Sequence, residues 1–307
     1  MTKPWKWLLL GVAAVVGVWL LITGGNTLAR YMGWVIERQE PEALSAFLKP
    51  HYRMLVPEGE GPFPTGILLS GCDGPADNMD LWAETLNNKG WAALIVDSHT
   101  PRGYGGYEIW RLICAGQLLM GSERAGDALV ALADMRAEPI VDPSRIVLLG
   151  ASHGGWTIME LLNFEDEGRL PFNLSAWPEG ISPDAPLNGV IGQVLLYPYC
   201  GRPNRAFDNG WARRSPTLFL LGDKDLIAPP RDCLTVIEHL EERGLPVDIE
   251  MFAGVDHGFD QRVRQHFSTL EFDPEATALS VTRVSAFLDE LLAPVQAESA
   301  RLSVPDK

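Results

Sequence analysis

An apolar run that stops at a serine held between glycines limits this chain to few architectures. It reads Arg145-Ile-Val-Leu-Leu-Gly150-Ala-Ser152-His153-Gly154-Gly155, and a helix-compatible segment, Trp156 to Leu162, follows. This is the Gly-x-Ser-x-Gly nucleophile elbow in a strand-turn-helix setting. A serine on so tight a turn needs strained backbone angles. Side chains at Gly150 or Gly154 would collide with the neighbouring strand and helix. The new helix aims its N-terminal N–H groups at the place where negative charge develops during acyl transfer. An ordinary glycine-rich turn is the plainer alternative.

A nucleophilic serine needs a base, and the base an orienting acid, in the chain order Ser, Asp or Glu, His. Ser215-Pro-Thr-Leu-Phe-Leu-Leu221 reads as a buried strand running into Gly222-Asp223-Lys224-Asp225. The acid belongs just past such a strand, so Asp223 and Asp225 are the candidates. Asp225 is preferred, because a Gly-x-x-Asp turn carries the carboxylate over the sheet edge, and Asp223 then caps the turn. Val247 to Phe252 alternates as a further strand, and Gly254-Val-Asp256-His257-Gly258-Phe-Asp260 follows it. His257, flanked by glycines, is the candidate base. His153 offers its backbone N–H rather than its ring. His239 is expected on the polar side of the helix Pro230 to Arg243. His51, His99 and His266 read as structural histidines. No His, Cys and Asp cluster has metal-ligand spacing, and neither metal nor cofactor is expected. The buried strand Thr65 to Leu69 exits through Ser70-Gly71-Cys72-Asp73-Gly74. The N–H groups of Cys72 and His153 are therefore the expected oxyanion donors.

Apolar runs at Ile67–Ser70, Ala92–Val96, Ile146–Leu149, Val190–Tyr197, Leu218–Leu221 and Ile249–Phe252 alternate with helical patterns, and Tyr52–Val56 reads as an edge strand. The alternation predicts a mostly parallel, doubly wound α/β sheet. Asn163 to Pro186, rich in Pro, Gly and acids, is expected to be a surface excursion beside the site.

With these pieces the chain resembles the dienelactone hydrolase family of α/β-hydrolases, an exported bacterial subgroup in particular. The resemblance rests on Ser70-Gly-Cys-Asp-Gly74, Val96-Asp-Ser-His-Thr-Pro-Arg-Gly103, Gly150-Ala-Ser-His-Gly-Gly155, Tyr197-Pro-Tyr-Cys200, Gly222-Asp-Lys-Asp225 and Asp256-His-Gly-Phe-Asp260. It covers roughly Tyr52 to Leu292. It implies the α/β-hydrolase fold and cleavage of a small-molecule ester or lactone by Ser152, Asp225 and His257. The founding members carry a cysteine nucleophile, so the serine here points to a general carboxylesterase. The family's oxyanion loop commonly begins with histidine, where this chain has Ser70. Asp73 adds a carboxylate that would repel anionic acyl groups. A peptidase or acyltransferase on the same scaffold, or a non-catalytic binding module, are the other readings.

The first thirty residues stand apart. Met1 to Lys6 is basic, Trp7 to Ile22 is an uncharged run of sixteen residues, and Thr23 to Arg30 is small and polar. Sixteen falls just short of a standard span of about twenty and slightly exceeds a signal h-region. An uncleaved anchor is expected, with a cleaved signal peptide or a buried core helix as alternatives. Basic residues ahead of the apolar run place the remainder outside the cytoplasm, in the periplasm of a bacterial inner membrane. Residues 31–292 then form one hydrolase domain and 293–307 a polar, frayed tail. The formal net charge of −15 argues against nucleic acid and against peripheral binding to anionic lipid. Cys200 follows one sheet strand and Cys233 opens the helix after the next, so these two are expected to pair, leaving Cys72 with Cys114. Four buried thiols are the bland alternative.

Overall fold

The computed structural model describes residues 4–106, 108–264 and 268–302. His266 therefore lies outside the described residues. The chain opens with helix α1 (Pro4–Tyr31), then a short α2 (Pro41–Leu48). The sheet strands are β1 (Arg53–Leu55), β2 (Phe63–Leu69), β3 (Ala92–Val96), β4 (Val141–Ala151), β5 (Val190–Leu196), β6 (Thr217–Gly222) and β7 (Val247–Phe252). Interleaved with them are α3 (Asp77–Asn88), α4 (Gly121–Ala137), α5 (His153–Asp166), α6 (Ala206–Asn209) and α7 (Pro230–Glu242), and α8 (Pro274–Leu302) closes the chain. The sheet order is β1-β3-β2-β4-β5-β6-β7, parallel throughout except for β1, which pairs antiparallel with β3. The expected α/β-hydrolase architecture is this mixed sheet flanked by helices.

Period-two alternation divides the inner strands between two apolar layers. Ile67, Leu69, Leu148, Phe219 and Leu221 pack with α2, α4, α5 and α7. Leu68, Val147, Leu149, Leu218 and Leu220 face the other way, onto Trp82 and Leu86 of α3 and Val284, Phe287 and Leu288 of α8. Both sides of β6 are covered, so all six of its residues are buried. This is why it reads as a continuous apolar run rather than an alternating one. At the edge, β7 has a mixed burial pattern, and Ile249 and Met251 show to solvent.

One expectation needs correction. The segment 163–186 is not beside the cleft: it packs on the far layer, where Phe164, Leu174 and Ile181 enter the core and Ser175 N–H bonds Gln39 O. Pro and Gly signalled irregular backbone there, but the apolar residues between them were under-weighted. Beyond Leu292 the α8 backbone continues to Leu302. The short α2 had no reading at all, because Leu44 and Leu48 give too few apolar positions for a periodic signal.

α1 is one unbroken helix, and Trp5–Tyr31 is long and apolar enough to cross a membrane. None of its most apolar window is buried in the protein, which sets aside a core helix. Both expected cysteine pairs are bonded, Cys72–Cys114 and Cys200–Cys233. The second closes a separation of 33 residues and ties the β5 exit to α7. Replacing both Cys200 and Cys233 by Ser should lower unfolding free energy by about 2–4 kcal/mol, mostly by freeing the unfolded chain. Urea denaturation reads this directly; an unshifted midpoint would mean that the bridge adds nothing to stability.

Candidate active site

The carboxyl ends of the parallel strands lie in register: Leu69 faces Val96 on one side and Gly150 on the other, and Gly222 faces Phe252. Loops leaving those ends gather at one edge of the sheet, where ligands of such sheets bind. β4 ends at Ala151, and Ser152 follows with φ 51 and ψ −112 before α5 begins. A positive φ strains a residue that has a Cβ. The glycines around it show why the turn closes. A Cβ on Gly154 would sit 2.0 Å from Leu69 O, and one on Gly150 2.5 Å from the Gly154 carbonyl carbon. On Gly155 it would meet Pro198 Cβ at 2.5 Å. Ser152 N–H donates to Leu196 O, and Ser152 O accepts from Trp156 N–H and Tyr199 N–H.

Two loops bring partners to this serine. Beyond β6, Asp225 is buried, and its Oδ1 accepts the N–H groups of Ile227 and Ala228 at 2.9 and 2.7 Å. Its Oδ2 lies 2.6 Å from His257 Nδ1. His257 Nε2 lies 2.9 Å from Ser152 Oγ. A carboxylate only accepts, so Nδ1 carries the proton and Nε2 is left to receive one from the hydroxyl. Asp223 is elsewhere: rather than capping its own turn, its Oδ1 accepts the Gly254 N–H, 31 residues on at the β7 exit. Asp225 and not Asp223 is thus the carboxylate brought to His257.

The Ser70–Gly74 loop lies over the serine. A Cβ on Gly71 would stand 3.8 Å from Ser152 Cβ. Gly71, Cys72, Asp73, Ser152, Tyr197 and His257 line a cavity of about 480 Å³, completed by Cys114, Ala115, Ile227, Gln261 and Leu270 among others. Gln261 Nε2 donates to Asp73 Oδ2 at 2.8 Å, which holds that carboxylate to one side of the cleft. Among the described residues, no group of three or more His, Cys, Asp or Glu is placed to hold a metal ion.

Behind the loop sits a buried polar cluster that sequence reading missed. Arg124 of α4 is fully buried, donates to Ser70 O at 2.9 Å and lies 3.0 Å from His153 Nδ1. Its charge fastens the start of the loop. Burial and the Arg124 charge push His99 down to about 3, and the same two causes hold His153 well below the ordinary imidazole range. Both rings are therefore neutral, as structural histidines. The His153 ring also packs edge-on against Trp156 at 5.0 Å. Arg124 gave no sequence signal, because with Glu123 and Asp127 beside it at the start of α4 it reads as one of a set of solvated charges. His239, by contrast, sits on the outer side of α7 beside Glu242, as expected.

Tyr197 is the second omission. Its ring meets His257 edge-on, centroids 4.9 Å apart, and its hydroxyl donates to Asp260 Oδ1. Asp260 also accepts from Trp82 Nε1 at 2.6 Å, and Asn78 Nδ2 donates to the Tyr197 oxygen at 3.2 Å. Burial, then the neighbouring Asp260, raises the Tyr197 phenol well above its usual range, so it stays a donor. One face of the imidazole is thereby fixed by a tyrosine that is itself held from two sides.

The profile of the dienelactone hydrolase family matches residues 53–292, and the chain belongs to that family. Its fold is shared with a dienelactone hydrolase of Klebsiella pneumoniae (TM-score 0.58, 16% identity, covering 78% of this chain and 92% of that one). A dienelactone hydrolase-like promiscuous phosphotriesterase from metagenomic libraries is similar at TM-score 0.56 and 20% identity, with the same coverage. So is esterase 2 of Thermogutta terrifontis, known in a form phosphorylated by paraoxon (TM-score 0.56, 16% identity, 80% and 88% covered). In sequence, the acylamino-acid-releasing enzyme of Arabidopsis thaliana is 27% identical over 57% of this chain. The chain spans only 25% of that relative's length.

The neutral buried rings make stability depend on pH. An imidazole near 6.5 in the unfolded chain and near 3 for His99 in the folded one means the unfolded state binds more protons between those values. Stability should therefore fall as pH drops below about 6.5, by up to about 1.4 kcal/mol per pH unit per ring. In denaturation series at several pH values, His99→Gln should flatten that slope. An unchanged slope would show that the folded ring carries a proton.

Proposed function

We propose that this hydrolase cleaves a carboxylic ester through an acyl-enzyme on Ser152. The observation that carries the reading is the hydrogen-bonded chain from Asp225 through His257 to a strained Ser152 facing a mostly apolar cavity. His257 Nε2 takes the hydroxyl proton as Ser152 Oγ bonds to the ester carbon. The oxygen that becomes negative is met by the N–H groups of Cys72 and His153, the latter at the first turn of α5. Collapse breaks the ester C–O bond, and the imidazolium gives its proton to the departing alkoxide. Water, deprotonated by the same nitrogen, then attacks the acyl carbon and releases acid and free serine. Asp225, held in place by two backbone N–H groups on Oδ1, keeps Oδ2 on the imidazole Nδ1–H throughout.

Amide cleavage is the second reading, favoured by the matches to the Arabidopsis enzyme and to dipeptidyl-peptidase 5 of Porphyromonas gingivalis, which is 23% identical over 59% of this chain. We further propose that residues 1–30 remain attached as an anchor, with residues 31–292 as a periplasmic hydrolase domain. A helix running unbroken to Tyr31 and two disulfide bonds support that placement.

Ser152→Ala should abolish turnover of p-nitrophenyl esters with the fold intact, and His257→Ala nearly so, losses on the order of 10⁴-fold or more. Asp225→Asn should cost far more than Asp223→Asn. A well-folded Ser152→Ala protein with undiminished turnover would remove the mechanism. An N-acylated amino-acid anilide assayed alongside separates the two readings, since faster cleavage of the anilide favours the amide.

The anchor should keep the full chain in the membrane fraction after a high-salt wash, with detergent needed to release it. Release by salt of a protein beginning near residue 30 would instead show cleavage.

A further inference from the structure

The anchor helix meets the domain only through its last turns. From Trp5 to Gly25 it is exposed apart from partial cover at Gly17 and Thr23; from Asn26 it becomes partly buried. Asn26 Nδ2 donates to Gln117 O at 2.8 Å, and Gln117 Nε2 donates to Thr27 Oγ1 at 2.7 Å. Arg30 pairs with Glu123 at 2.8 Å, and Arg205 donates to Tyr31 O while covering the Tyr31 ring. Gln117 stands two residues past Ala115, and Cys114 and Ala115 are part of the cleft lining. The end of the apolar helix and the wall of the cleft are thus a few residues of one chain segment apart.

The rim of the same cleft carries apolar side chains that no core covers. Ile227, in the lining, is 47% exposed, and Leu226 beside it, outside the cavity, is 86% exposed. Val263 is 64% exposed, and its carbonyl accepts from the lining residue Gln261. Trp34, just past the anchor, is 70% exposed. Leu226, Ile227 and Val263 at the rim mark an interaction surface, and Trp34, away from the rim at the end of the anchor, is an indole of the kind that favours the bilayer–water boundary. With Lys3 and Lys6 on the cytoplasmic side, the small polar residues Thr23 to Arg30 fall at the outer boundary, the level at which Gln117 is held.

We propose that the cleft opens at the lipid–water interface and draws its substrate from the bilayer. That substrate is an uncharged amphiphilic carboxylic ester, its acyl chain passing Ile227 and Leu270 as its carbonyl reaches Ser152. This rests on the ester-hydrolase reading above. An anionic ester is disfavoured twice, by Asp73 inside the cleft and by the formal charge of −15 on the chain. Leu226 and Val263 touch the bilayer rather than the reacting ester.

The full chain in phosphatidylcholine vesicles tests this with p-nitrophenyl myristate dissolved in the lipid and p-nitrophenyl acetate in water. At constant total myristate ester, diluting it tenfold in added lipid should slow its hydrolysis about tenfold and leave acetate hydrolysis unchanged. The double variant Leu226→Ser, Val263→Ser should lower myristate turnover about tenfold while acetate turnover stays within about twofold. A myristate rate that ignores dilution in lipid, or a double variant that affects both esters alike, overturns the proposal. Acetate hydrolysis that depends on Ser152, with none of myristate, overturns it alone; absence of both activities overturns the ester reading with it.

Discussion

Ser152 holds a backbone conformation that an L residue disfavours by about 1–3 kcal/mol, and the surrounding structure is arranged to impose it. The constraint is close packing of main chain on main chain. Gly154 lies against the Leu69 carbonyl, Gly150 against the first turn of α5, and Gly155 against Pro198. Three strand ends therefore meet at one serine, backbone against backbone at Gly150 and Gly154 and with the Pro198 ring against Gly155. Its N–H and C=O are taken by Leu196, Trp156 and Tyr199, so relaxing the turn would break bonds to the neighbouring β5 exit as well as within α5. The neighbouring loops are located by reference to this point, since β2 supplies the Ser70–Gly74 loop and β5 leads into Tyr197.

Much of this was legible in the sequence because it depends on local steric rules. Glycines at 150, 154 and 155 around a serine, after an apolar run, have one economical explanation. The Gly222–Asp225 turn and the Gly-flanked His257 follow strands whose order in the chain matches their order across the sheet. What was not legible depends on contacts between distant segments. Arg124 reaches Ser70 across 54 residues, and Asp260 accepts from Trp82 across 178. An arginine among the other charges of α4, or a tyrosine after a strand, has no local pattern that announces such a partner. The segment 163–186 failed for the converse reason: its composition described its backbone correctly, yet the few apolar side chains in it decided where it packed.

Two layers of support stand behind Ser152 and His257, and they differ in chemistry. On one side Tyr197, Asn78, Trp82 and Asp260 form a hydrogen-bonded group that fixes a face of His257. Such a group is secure only if every member is satisfied, and here the buried carboxylate has donors on both oxygens. On the other side the Ser70–Gly74 loop is held through Arg124 at its start and through the Cys72–Cys114 bond at its centre. One attachment is electrostatic and the other covalent, so no single substitution removes both.

The Arg124 cluster also fixes the electrical surroundings of that loop. Burial brings Arg124 down to about 10, which leaves it protonated near neutrality, and His99 at about 3 and His153, held well below the ordinary imidazole range, remain uncharged there. Around neutrality these three side chains together carry one positive charge. Any group brought over Ser152 therefore meets the same background field from this cluster in mildly acidic and mildly alkaline surroundings alike. A modest swing of pH to either side of neutral would leave that part of the site's polarity unaltered.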